Sequence, residues 1–285
     1  MIPMLVKYIN HKGIEISLSD LPYVIQSENL FDWEWKYDSV GNRDTGAKVT
    51  AFYKQLATKN ITVAIYAETQ NDFLGALDHF SAVIGVDVAE NIPGRLMVGA
   101  DYLRCFITAN KKTTWSKGLR VAFYDCTVVV IDGMWTREIH YRFSAAFNEN
   151  YKHDWGLDYP YGYPYDYTPG KPLHTVEVTS FIPADFVMVI FGPVTNPIIT
   201  IGMNTYAIGD AARPLELGAS EWVTINSRAK SIVKTHANGT MESVLNLRDK
   251  SRKFFAPIPP PRHIVSSNAF LDLTIIEHRD EPPWK

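Results

Sequence analysis

The chain has 285 residues, 46% of them hydrophobic and 21% charged, and a formal net charge of -3. This composition is typical of a globular protein, so disorder of the whole chain is excluded, and the length suffices for one large β domain or two of ordinary size. The near-neutral charge, with no basic stripe, disfavours binding along a phosphate backbone, and no apolar run reaches the roughly 18 residues that a membrane-spanning helix needs.

The two cysteines, Cys105 and Cys126, are too few for a disulfide framework and lack the spacing of metal ligands. We interpret them as two buried thiols. The first residues, MIPMLVKYINHKG, lack the charged lead, the long apolar core and the cleavage site of a secretion signal. We therefore expect the chain to fold in a reducing compartment.

Up to about residue 70, the sequence predicts short β-strands separated by turns. The predicted strands are GIEISL, FDWEWKYD, KVTAFYK and ITVAIYAE, and the segment DSVGNRDTG is predicted to be a loop. In a strand FDWEWKYD, the side chains of Phe31, Trp33 and Trp35 would point to one face, because side chains alternate along a strand. That aromatic face would need a cover.

One convincing helix follows, in the segment NDFLGALDHFSAVIG. Asn71 or Asp72 can cap the free N–H groups at its start, and Gly85 offers a stop. Its apolar residues recur at helical spacing, at Phe73, Leu74, Leu77, Phe80 and Ile84. Beyond the helix, GRLMVGADYLRCFITAN predicts strands with a tight turn at GAD, and the two strands that flank GMW are predicted to form the arms of a longer hairpin.

The segment DYPYGYPYDYTPGKP, residues 158–172, contains five tyrosines, four prolines and two glycines. Proline excludes a helix here and disfavours an internal strand, so the segment must run extended or in turns. We interpret it as a stiff strap, because large aromatic rings favour packing on a surface. The rings expected to pack on a domain face are those of Tyr159, Tyr161, Tyr163, Tyr165 and Tyr167.

Beyond the strap the sequence predicts β-strands almost throughout. Short β-like runs such as HTVEVTSF, FVMVIFGP, NPIITIG, EWVTINS and LDLTIIEH are separated by Gly, Pro and Asn turns, and IPPPRH predicts a stiff loop before the last strand. This regular spacing is typical of a β-sandwich or a small barrel. The strap therefore divides an α+β half from an all-β half.

Signatures of catalysis are weak. The eight histidines are scattered singly and form no metal-binding motif, so no metal and no cofactor are predicted. No serine lies in a GxSxG turn, and no glycine pattern matches a phosphate loop. The acid pairs Asp154 with Asp158 and Glu277 with Asp280 could in principle act on a sugar, but such pairs are common on protein surfaces.

Aromatic residues are the remaining signal. Besides Trp33, Trp35 and the strap tyrosines, the sequence has Trp155 and Trp284 near its polar segments. Such rings can form a platform that stacks on sugars, or they can pack between domains or subunits. Packing at an interface is the more common role.

The chain resembles the distal tail (Dit) proteins of bacteriophages with long flexible tails. The stretches that carry the resemblance are FVMVIFGPVTNPIITIGMNTYAI, EWVTINSRAKSIVKTHANGTMESVLNLRD and LDLTIIEHRDEPPW, together with the YPYDY of the strap. None of these is a catalytic motif. The resemblance implies an N-terminal belt domain that assembles into a hexameric ring and a C-terminal galectin-like β-sandwich outside it, whose final strand can return to the first domain.

From these observations we predict a mainly β chain with one principal helix: an α+β belt domain in residues 1–150, a Tyr/Pro-rich linker in residues 151–172, and an all-β galectin-like sandwich in residues 173–285. The resemblance implies a structural hub in the virion tail, made in the host bacterial cytoplasm and not inserted in a membrane. Its partners would be other copies of the chain, the tail tube protein, tail-tip proteins and receptor-binding baseplate proteins, with the genome passing through a channel. The alternatives are a carbohydrate-binding module for cell-wall sugars and, more distantly, an enzyme built from scattered Asp, Glu and His.

Overall fold

The protein is described here by a computed structural model that covers residues 5–27, 29–42, 46–112, 120–144 and 174–282. These residues divide into two compact units. The first comprises the described residues up to Arg137 together with 278–282, and the second comprises 138–277. The prediction of a mainly β chain with one principal helix is confirmed for the described residues.

The first unit is built on an antiparallel sheet in the order β2-β1-β7-β8-β9-β6-β3. Within the described parts of the chain, strands β4 and β5 pair only with each other, as a separate hairpin. The elements are β1 (Val6–Ile9), β2 (Glu15–Ser17), β3 (Tyr23–Ser27), β4 (Lys36–Asn42), β5 (Gly46–Tyr53), β6 (Ala57–Tyr66), α1 (Gln70–Glu90), β7 (Gly94–Val98), β8 (Asp101–Lys112) and β9 (Val121–Val130). Strand β10 (Trp135–Phe143) begins in the first unit, and its residues from Glu138 onward belong to the second.

The predicted helix is confirmed, but both of its ends differ from the prediction. Thr69 is the N-cap, because its Oγ1 accepts a hydrogen bond from the backbone N–H of Asp72 at 3.2 Å. The helix runs through Gly85 and ends before Asn91, which has a φ of +55°. An interior glycine weakens a helix by about 1 kcal/mol, whereas burial of a Val or Ile side chain contributes about 1.5–3 kcal/mol. The buried side chains of Val83 and Ile84 therefore keep the last turns helical.

The apolar face of α1 also differs from the prediction at one position. Phe73, Leu77, Phe80 and Ile84 are buried in the core of the first unit, as predicted. Leu74 is instead 44% exposed. The buried stripe is completed by other residues, Ala76 and Val83.

Three strand predictions in the first unit were wrong. Residues 31–35 are not in a strand, since β4 begins at Lys36. Most of the predicted loop 38–46 belongs to the hairpin of β4 and β5. The strands around GMW do not pair with each other, because β9 pairs with β6 and β8, and the start of β10 pairs with Asp101 and Tyr102 of β8. The tight turn at GAD is confirmed, with Gly99 at a φ of +61°.

The second unit is a β-sandwich, as the spacing of its strands predicts. One sheet has the order β19-β18-β17-β12-β21 and the other has the order β11-β20-β14-β15, and their facing side chains form one core. The strands are β11 (Thr175–Glu177), β12 (Asp185–Phe191), β13 (Val194–Thr195), β14 (Ile198–Ile201), β15 (Asn204–Ala207), β16 (Glu216–Leu217), β17 (Trp222–Asn226), β18 (Ser231–Thr235), β19 (Met241–Ser243), β20 (Arg262–Ser267) and β21 (Phe270–Arg279), and a 3-10 helix spans Leu245–Leu247. The last two residues of β21, His278 and Arg279, belong to the first unit.

Strand β12 illustrates how this core is made. Phe186, Met188 and Ile190 point inward and are fully buried, while the residues between them are partly exposed. Phe186 packs against Tyr206 with ring centroids 5.1 Å apart. The predicted linker 151–172, with all of its tyrosines, lies outside the described residues.

Candidate self-association surface

The hairpin of β4 and β5, residues 36–42 and 46–53, exposes apolar side chains that nothing in the described chain covers; we call it the arm. Every residue of β5 is exposed. Tyr37 and Phe52 lie opposite each other in the register, with ring centroids 6.3 Å apart, and are 60% and 63% exposed. Val40 and Val49 are exposed as well. A hairpin of two strands is marginally stable alone in water, so this surface is a candidate for contact with another chain.

The start of the arm is held by two tryptophans. Trp33 donates its indole N–H to Glu281 Oε1 at 2.9 Å, and Trp35 donates its indole N–H to Asp280 Oδ2 at 3.4 Å. Just before them, Phe31 stacks on Trp135 with ring centroids 5.9 Å apart. The arm therefore begins from a segment that is anchored in the first unit.

The end of the arm is held at the same place through Lys54. Its Nζ lies 2.7 Å from Asp280 Oδ1 and within about 5 Å of the ring centroids of Trp33 and Trp35, a cation–π geometry. Gly133, at a φ of +64°, packs closely here, because a Cβ on it would lie 2.9 Å from the carbonyl oxygen of Gln55. Residues 33–35 and Lys54, which flank the arm and which we call its two feet, therefore meet at the Asp280 carboxylate.

A concave surface adjoins the feet of the arm. It forms an open cleft of about 760 Å³, lined on its apolar side by Phe31, Leu56 and Trp135 and elsewhere by acidic residues including Asp32 and Glu281. The first unit thus carries a projecting apolar hairpin beside a concave surface of mixed polarity.

The structure places two of the predicted interface residues, Trp33 and Trp35, at the base of the arm, and their role in an interface stays a prediction. The other five, Tyr159, Tyr161, Tyr163, Tyr165 and Tyr167, lie outside the described residues. Sequence reasoning missed Lys54, whose partners are distant in the chain. The available signal was that Lys54 is the last residue of one predicted strand, while an aromatic segment with Trp33 and Trp35 precedes that strand in the chain.

Glu277 and Asp280, the acids considered as a pair in the sequence, belong to different units. Glu277 is fully buried in the second unit, where it accepts hydrogen bonds from the backbone N–H and the hydroxyl of Thr179. Asp280 belongs to the first unit and binds Lys54. The pair Asp154 and Asp158 lies outside the described residues.

Two of the histidines are engaged by carboxylates, and both cysteines are protonated. His11 directs one ring nitrogen to Asp87 and the other to Glu90, and His236 is held in the same way by Glu221 and Glu242. Burial raises the pKa of Cys105 and of Cys126 to about 12, so both thiols stay protonated near neutral pH.

In the ranges that the structure covers, no group of His, Cys, Asp and Glu side chains is arranged to hold a metal ion. Over the same ranges, no helix is both long enough and apolar enough to cross a membrane.

A cluster around Asp87 joins the end of α1 to the turn after β1. The buried Asp87 carboxylate accepts hydrogen bonds from the Tyr8 hydroxyl at 2.5 Å and from the backbone N–H of His11 at 2.9 Å, and contacts the His11 ring. The hydrogen bond to Asp87 raises the pKa of His11. Hydrogen bonds from Lys12 and then His11 lower the pKa of Glu90.

This cluster predicts a pH dependence of stability. Because the pKa of His11 is raised in the folded state, the stabilisation that its protonated ring provides is fully present below pH 6.5. This stabilisation is lost as the pH rises through the folded-state pKa. Because the pKa of Glu90 is lowered in the folded state, the stabilisation that its carboxylate provides is present above pH 4.5. This stabilisation is lost as the pH falls through the folded-state pKa. We expect the stability difference between the parent and His11→Asn, measured by urea unfolding, to shrink from about pH 6 to about pH 9. A difference that grows over this range would contradict the assignment.

The fold of the chain belongs to the class of mainly β proteins with a helix-bearing unit and a β-sandwich. No protein-family model and no curated protein sequence matches it. Among solved structures it is similar to the SPP1 Dit protein, described as a paradigm of the hub adsorption apparatus of phages that infect Gram-positive bacteria, with a TM-score of 0.60, 7% identity and coverage of 96% of this chain and 98% of that one.

Two structures of the phage P2 baseplate in its activated conformation share the fold as well. The structure with Ca has a TM-score of 0.62 at 10% identity and covers 99% of this chain and 100% of that one. The structure with Sr has a TM-score of 0.60 at 9% identity and covers 98% and 99%. The chain therefore shares the fold of phage tail hub and baseplate proteins over nearly its whole length.

Proposed function

We propose that the protein is the hub of a bacteriophage tail tip, a structural protein without catalytic activity that assembles into a ring. The ring, a hexamer by resemblance to the Dit proteins, would join the tail tube to tail-tip and receptor-binding baseplate proteins. Its central channel would let the genome pass, and the protein would reside in the virion tail after synthesis in the host cytoplasm. Fold similarity to a phage hub protein and to phage baseplate structures supports this proposal.

The observation that carries the proposal is the arm. Its exposed apolar residues form a surface that a solitary soluble protein has little reason to keep, because water-exposed apolar area costs about 25 cal/mol per Å² compared with burial. A ring needs a contact in which two different surfaces of neighbouring copies meet. A projecting hairpin and a concave surface on the same unit supply two such surfaces.

The arrangement of titratable groups supports a structural role rather than catalysis. His11 and His236 bind carboxylates through both ring nitrogens, and the thiols of Cys105 and Cys126 are buried. A histidine that acts as a general base needs a ring nitrogen that faces substrate, and a cysteine nucleophile needs an accessible thiolate.

Native mass spectrometry and negative-stain electron microscopy of the purified protein test the proposal. We expect an assembly whose mass is a multiple of the 32.3 kDa chain and images that show rings with a central channel. About 100 µM lies well above the dissociation constants of standard protein interfaces, so a chain that stays monomeric at this concentration would contradict the ring. Retention of that monomer on cell-wall polysaccharide would favour the carbohydrate-binding alternative instead.

A further inference from the structure

We propose that Asp280 and Glu281 form a latch that fastens the two feet of the arm together and so keeps the arm folded before any partner binds. The latch itself is a property of the single chain. Only its consequence for assembly rests on the function proposed above.

The first foot of the arm is fastened by two hydrogen bonds. The indole N–H of Trp33 is bound by Glu281, and the indole N–H of Trp35 is bound by Asp280. Hydrogen bonds to a charged acceptor are stronger than neutral ones. The two bonds therefore fix both indole rings where the chain enters β4.

The second foot is fastened by the buried charge of Lys54. The Lys54 side chain is only 7% exposed, and Asp280, at 2.7 Å, is the acidic partner that compensates its charge. A buried ammonium without such a partner is costly, because the surroundings cannot replace its hydration. Asp280 thus binds both the residue that precedes β4 and the residue that follows β5.

The arm needs such a fastening because little else stabilises it. Among the residues that the structure describes, its strands pair only with each other, and its apolar side chains are exposed. Joining the two feet shortens the loop that the hairpin must close, which lowers the entropic cost of forming its ladder. Opening of the latch should therefore loosen the arm while leaving the sheet and α1 intact.

A folded arm also bears on assembly. A segment that is already ordered loses less conformational freedom on binding, so a fastened arm favours contact with a second copy. A chain with an open latch should assemble only at a higher concentration.

Hydrogen exchange of the dilute monomer tests the latch directly. We expect amides of residues 36–42 and 46–53 to exchange about tenfold faster in Asp280→Asn than in the parent, with exchange in α1 unchanged. Lys54→Met, which keeps the apolar stem and removes the charge, should have a similar effect. Glu34→Gln is the control: it removes a carboxylate that pairs with Lys36 on the surface at 2.5 Å, and it should change exchange less than about twofold.

Two results would overturn the latch. The first is unchanged exchange in the arm of the double variant Asp280→Asn with Glu281→Gln. The second is an acceleration in α1 equal to that in the arm in every variant, including Glu281→Gln, which leaves the Lys54 ion pair intact. If the parent forms no ring, the hub proposal fails, while the exchange result still stands.

Measurement of assembly uses the same variants. With rings formed by the parent, we expect Asp280→Asn to need about tenfold more protein for half-maximal assembly, because each copy must order its arm on binding. An unchanged midpoint, with faster exchange in the arm, would show that the latch folds the arm without aiding assembly.

Discussion

No ring should form when Tyr37 and Phe52 are both replaced with aspartate. The two aromatic side chains lie opposite each other on the arm and are both largely exposed, so the substitutions remove no contact of the core. In a ring each copy would bury these positions against its neighbour, and burying an unpaired carboxylate costs several kcal/mol at every interface. Sedimentation velocity of the purified variant should show a monomer in place of the parent's assembly.

A matched control is available in the second unit. Phe181 is 63% exposed, as Phe52 is, and Phe181→Asp makes the same substitution as Phe52→Asp at one exposed position outside the arm. We expect this variant to assemble like the parent and both variants to unfold at urea concentrations near that of the parent. If the double variant Tyr37→Asp with Phe52→Asp still formed rings, the arm would not be the surface that joins neighbouring copies.

Replacing Gly94 with alanine should cost about 3 kcal/mol of the free energy of unfolding of the first unit. A Cβ at this position would lie 2.4 Å from the Oδ2 of Asp87 and 2.4 Å from the hydroxyl of Tyr8, and both of these side chains are fully buried. Neither group can move without breaking the hydrogen bond that joins them. Urea unfolding followed by circular dichroism measures the change.

Gly85→Ala is the matched control for that substitution. Gly85 lies inside α1, and a methyl group added to its Cα would meet no atom within 4 Å, so alanine fits without a clash. We expect it to stabilise the protein by about 0.5–1 kcal/mol, because alanine has the better helix propensity. A Gly94→Ala variant as stable as Gly85→Ala would show that the Asp87 cluster adapts to the added methyl group.

Trp33 and Trp35 were predicted from the sequence to lie at an interface, and the structure gives their indole N–H groups to Glu281 and Asp280. Their faces also contact Lys54. These tryptophans therefore act within one chain to support the arm, whether or not they also touch a neighbour.

Local patterns predicted the elements whose side chains meet a core. Phe73, Leu77 and Phe80 give α1 its helical period, and the alternation around Met188 gives β12 its inward face. In contrast, β20 begins at Arg262 and His263, inside a segment predicted to be a loop because of its prolines. Its hydrogen bonds come from β11 and β14, so a sequence window cannot reveal it.

The sequence by itself determined the mainly β class, the position of the helix and the burial of Cys105 and Cys126, because each depends on the spacing of apolar residues along a short segment. Only the tertiary structure decided which strands pair, that β4 and β5 stand apart as an exposed arm, and that Asp280 meets Lys54. The physical reason is distance along the chain. A pairing between residues more than two hundred positions apart leaves no local period, and it exists only once the sheet has brought both segments to the same place.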